Sequence, residues 1–142
     1  MDSRLNQGQR HALTTALRQA EERLRQTESW LAGVEETGTL YQRRLSLDPG
    51  QLIQAQAMID RSLEVIRELA EEFDLSPATH DLSGAIAAQM TVTWADLVDT
   101  QSAKLGRYGA VDSRLAGALD PQLVELQDLA LNLARLARED VP

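Results

Sequence analysis

The chain has 142 residues, 43% of them apolar, no cysteine and a formal net charge of -8, a size that suits one domain with a real hydrophobic core. Without cysteine there is no disulfide, no thiolate nucleophile and no Cys-ligated metal, and the acidic balance argues against nucleic acid or an anionic membrane surface, which both ask for a basic footprint. No run approaches the roughly 18 apolar residues of a membrane span and the start lacks a signal-peptide core, so the default address is cytoplasmic.

Leu, Ala, Gln, Arg and Glu dominate, and all are strong helix formers; only "MTVTW" (Met90–Trp94) hints at a strand. In the first periodic segment Leu13, Leu17, Ala20, Leu24, Thr27, Leu31 and Val34 recur at alternating steps of four and three. That is the seam of an amphipathic helix with heptad-like regularity, packed on a partner. Arg18, Glu21, Glu22, Arg23, Arg25 and Glu28 form its solvated face, and Gly38 is placed as its end or kink. "TLYQRRLSL" then reads as a short helical piece whose Leu40, Tyr41 and Leu45 close one end of the core.

The second long helix opens on Asp48 as N-cap with Pro49 at the first helical position. Leu52, Ala55, Ile59, Leu63, Ile66, Ala70 and Phe73 give its seam, and Ser76 with Pro77 marks the next start. A single stripe, from Ile86 through Met90, Thr93, Leu97, Gln101, Lys104 or Leu105, Tyr108 and Val111 to Leu115, makes a third helix over about residues 82–118. Gly106 and Gly109 weaken that helix, and a kink or a split near them is expected. The last helix repeats the Asp-Pro opening at Asp120 and Pro121, and Leu123, Leu126, Leu129, Ala130, Leu133, Leu136 and Ala137 give it a wide apolar face. The expected fold is all-α, one helical domain over 1–142, built as an antiparallel up-down-up-down four-helix bundle. Its longer first and third helices overhang the fourth, which favours a homodimer.

Chemistry is sparse. The Glu-x-x-His pair of a di-iron bundle is missing, as are the phosphate-binding and nucleophile motifs. His11 falls opposite its helix seam, and His80 belongs to a turn. Clustered carboxylates such as Glu21, Glu22, Glu71 and Glu72 point away from the seams. No metal, cofactor or catalytic residue is assigned. One stretch resists this reading, "TWADLVDTQSAKLGRYGAVDSRLAGALDP". On an unbroken helix at about 100° per residue, Lys104 and Tyr108 fall within roughly 20° of Leu97, Gln101 about 40° away and Trp94 about 60°.

A buried ammonium needs an answer. Lys104 either snorkels to water, pairs with Glu125 or Asp128 on the last helix, or lines a small ligand pocket with Trp94, Gln101 and Tyr108. The favoured function is a non-enzymatic helical protein that acts through protein–protein contact, as an oligomeric subunit, adaptor or regulatory module. The alternative is a ligand-sensing bundle with its pocket around Trp94, Lys104 and Tyr108.

Overall fold

The structure is a computed structural model that describes residues 3–33 and 36–139. Among these the chain is mostly helical, with α1 at Gln7–Leu31, α2 at Pro49–Glu72, α3 at Leu82–Val98, a one-turn α4 at Ser102–Leu105 and α5 at Leu115–Arg138. Strands β1 (Glu36–Thr37) and β2 (Gln42–Arg43) lie between α1 and α2, and Gly106–Tyr108 forms a 3-10 turn after α4. The chain divides into two compact units, residues 1–78 and 79–142.

In the first unit both helices begin with a reciprocal cap. Asn6 accepts from the Gln9 amide at 2.8 Å while the Gln9 side chain accepts from the Asn6 amide at 3.0 Å. Asp48 and Gln51 repeat this ahead of α2, with Pro49 at the first position as expected. Each box satisfies two of the amides that a helix start leaves unpaired. Gly33 follows α1 with φ 76°, a left-handed conformation that lets the chain leave the helix. The stop is therefore Gly33 and not Gly38; Val34, the last position of the expected seam, lies outside the described residues.

The α1–α2 pair is fixed at both ends. Arg10 donates to the carbonyls of Phe73 and Asp74 at 2.7 and 2.9 Å, while Gln56 donates to Glu28 at 3.1 Å. The start of α1 thus meets the end of α2, and Ile59 is buried between these anchors. The piece expected to be helical, 39–47, instead joins the strand pair, Glu36 opposite Arg43 and Thr37 opposite Gln42. Leu40, Tyr41 and Leu45 are exposed there and close no core. Two β-branched or long residues on each side of a short turn suit an extended ladder as well as a helix, and the Tyr41 hydroxyl locks the ladder by donating to Glu36 at 2.7 Å.

In the second unit "MTVTW" is helical, inside α3. The long third helix does not form. It ends at Val98, several residues ahead of Gly106, because Gln101 is extended (ψ 155°) and the Ser102 amide turns from the helix ladder to the carboxylate of Asp120 at 2.9 Å. Gly109 adopts φ 146°, which only glycine tolerates well, so the chain turns again before α5. Asp120 opens no helix; it lies inside α5, and its carboxylate accepts from the first amide of α4. Helix α5 starts earlier, at Leu115, and carries Pro121 in its interior. Five helices thus replace the four expected.

Candidate functional site

A polar cluster in the second unit sits where α4 meets α5. Asp120 accepts two bonds from Ser102, from the amide at 2.9 Å and from the hydroxyl at 2.6 Å. Ser102 is buried, so both donors would otherwise be unsatisfied. These bonds, the hydroxyl's first, hold the Asp120 carboxyl below the usual carboxylate range. About two turns further along α5, buried Gln127 accepts from Gln101 at 3.4 Å. Its own amide nitrogen has no partner among the described residues. The cluster pins the corner where α3 gives way to α4, with the buried Ser102 hydroxyl engaged by the Asp120 carboxylate.

A lowered folded-state pKa at Asp120 means the bond's stabilisation is present above about pH 3.9 and is lost as pH falls through the lowered value. Asp120→Ala should therefore lower Tm by about 3–6 °C at neutral pH, as cap removal does. The gap from the parent protein should close in acid, read by circular dichroism at pH 7 and below pH 3. An unchanged gap in acid would mean that Asp120 acts through packing.

The expected polar stripe does not survive the helix break. Trp94 stays on α3, 37% exposed. Gln101 is half-buried and turns to Gln127. Lys104 lies on α4 in solvent, as do Glu125 and Asp128 on α5, so no buried ammonium exists to be neutralised. Tyr108 is 77% exposed, with the Arg107 guanidinium 5.2 Å from its ring centroid. The angular reckoning failed because it assumed a continuous helix through 99–101. Both histidines, His11 and His80, are exposed, and among the described residues no group of three or more His, Asp or Glu is placed to hold a metal ion.

A cavity of about 600 Å³ lies in the first unit, between the end of α1, the strand pair and the start of α2. Trp30, Leu31, Leu45, Leu47 and Leu52 supply its apolar wall, and Glu36, Arg43 and Arg44 its charged rim. Arg43 is engaged by Glu36 at 3.4 Å and lies 5.4 Å from the Tyr41 ring centroid. The hydrogen bond to Glu36 raises the Tyr41 hydroxyl pKa, which keeps the proton on tyrosine. The volume matches small-molecule sites. Sequence reasoning missed this space because it needs the strand pair, although Arg43–Arg44, the nearest thing to a basic face, and Trp30 were visible signals.

Another feature is apolar and outward-facing. On α5, Leu126, Leu129, Leu133 and Leu136 are 48%, 58%, 45% and 67% exposed. Fully buried apolar residues among those described are Ile59, Ala87, Ala130 and Ala134, and most other large aliphatic side chains are only half-buried. Among the described residues no helix is long and apolar enough to cross a membrane. Compared with protein-family models, curated proteins and solved structures, the chain matches none.

Proposed function

We propose that this is a non-enzymatic protein that works through protein–protein contact, as a homo-oligomeric subunit whose helix pairs are halves of larger bundles. The exposed leucine face of α5 carries this reading. A helix pair has two layers at most, and each helix buries only the stripe that meets its neighbour. A stable interface covers about 1,200–2,000 Å² in all, and obligate dimers cover more.

On this reading the four-helix bundle is completed between chains, with coiled-coil packing at its seam. A cytoplasmic address fits a chain in which no disulfide asks for an oxidising compartment. Light scattering on the purified chain at micromolar concentration tests the proposal. The expected mass is twice the 15.7 kDa of one chain; a monomer at that concentration would remove the homo-oligomer.

A further inference from the structure

We propose that the cavity beside the strand pair binds a small aliphatic monocarboxylate, with its chain against the leucine wall and its charge at Arg44. Such a site lies wholly in the first unit and stands independently of the leucine face on α5.

The wall suits an apolar body. The end of α1 supplies Trp30 and Leu31, the segment after β2 supplies Leu45 and Leu47, and the first turn of α2 supplies Leu52. Leu31 and Leu52 are half-buried, while Trp30, Leu45 and Leu47 are exposed. A hydrocarbon chain laid there removes its own surface and that of the wall from water together. The volume of about 600 Å³ lies within the roughly 300–1,000 Å³ of small-ligand sites.

The rim selects the charge. Glu36 is occupied at both oxygens, one accepting from the Tyr41 hydroxyl at 2.7 Å and the other facing Arg43 at 3.4 Å. Arg43 and Glu36 therefore cancel. The Arg44 guanidinium makes neither hydrogen bond nor ion pair among the described residues. Asp48, next to Leu47, is turned to the Gln51 amide as the cap of α2. The described lining thus carries one positive charge in excess, within a chain whose formal net charge is -8. A planar guanidinium at the edge of an apolar wall matches a carboxylate, which accepts two parallel N–H bonds. One uncompensated cation calls for one anionic charge.

The test uses the full chain carrying Trp94→Phe, which leaves Trp30 as its single tryptophan and places the emission signal in the cavity wall. Sodium octanoate and octylammonium chloride, alike in chain length and opposite in charge, are titrated separately at neutral pH. The expected result is a saturable change in Trp30 emission, with octanoate bound about fivefold or more tighter than octylammonium. Arg44→Gln in the same background should weaken octanoate by about threefold or more and leave octylammonium no weaker. Arg44 is exposed, so its replacement leaves the helices intact, as circular dichroism checks. No saturable change with octanoate, or octylammonium bound as tightly, overturns the site. A preference for octanoate that survives Arg44→Gln overturns the role of Arg44. The mass of the assembly is read separately, so either failure leaves the contact-protein reading standing.

Discussion

Replacing Ile59 with alanine is expected to cost about 3 kcal/mol of stability, the middle of the range for a buried aliphatic residue that leaves a cavity. Ile59 is 5% exposed and is the only buried apolar side chain among the described residues of its unit. It stands on α2 between the Gln56–Glu28 bond and the Arg10 bonds to Phe73 and Asp74, where α1 presses on α2. The urea midpoint should drop by about 1–2 M for that cost at ordinary m-values. Ile53, 72% exposed on the same helix, is the control. Ile53→Ala should stay within about 0.5 kcal/mol, as surface substitutions do. Both must be measured at one protein concentration, because a self-associating chain gains apparent stability as concentration rises. Equal losses at the two positions would show that Ile53 is covered in the assembly.

How much of this was legible in the sequence depends on how local each cause is. The α1 and α2 seams could be read because a period of three and four residues is written directly into Leu17, Leu24, Ile59 and Ile66. Asp48 was readable as a cap for the same reason, since Asp-Pro-x-Gln places every partner within one turn. The same logic could have found Asn6 and Gln9, three apart ahead of an apolar period. Asp81, which accepts from the Ser83 amide at 2.9 Å ahead of α3, competed with Ser76 and Pro77, and a turn containing several capping residues does not rank them.

The break after Val98 was of another kind. The amide of Ser102 leaves the helix ladder for Asp120, eighteen residues on, and no local pattern encodes a bond of that range. Everything inferred about Lys104 depended on that one junction. With the helix continuous, the lysine faces inward; with it broken, the lysine stands in water. The apolar width of α5 was legible, but its division into a packed side and an open side was not. That division appears only once α3 is seen to take the Gln127–Ala130–Ala134 side.

Ala134→Leu tests the packed side directly, with an expected loss of about 2 kcal/mol. Ala134 is 0% exposed. Along α5 it lies between Gln127, which meets Gln101, and Arg138, which donates to the Thr91 hydroxyl at 3.1 Å, so it sits within the length that α3 covers. A methyl side chain at such a place lets two helix backbones approach closely. Three more carbons have no space and must push α3 away or take a poor rotamer, a cost of about 1–3 kcal/mol. The transfer energy of the added carbons is realised only where there is room for them, and a fully covered site without a cavity turns it into strain. Urea denaturation at fixed concentration reads the loss. The neighbouring Leu133→Ala, one residue round the helix on the open side, separates the two faces. It should leave the stability of a diluted, monomeric chain within about 0.5 kcal/mol, yet weaken association by at least tenfold, since a leucine removed from each side of an interface costs more than the roughly 1.4 kcal/mol that a factor of ten represents. If Ala134→Leu were tolerated without loss, α3 and α5 would not be in close contact there, and the open and packed sides of α5 would have to be exchanged.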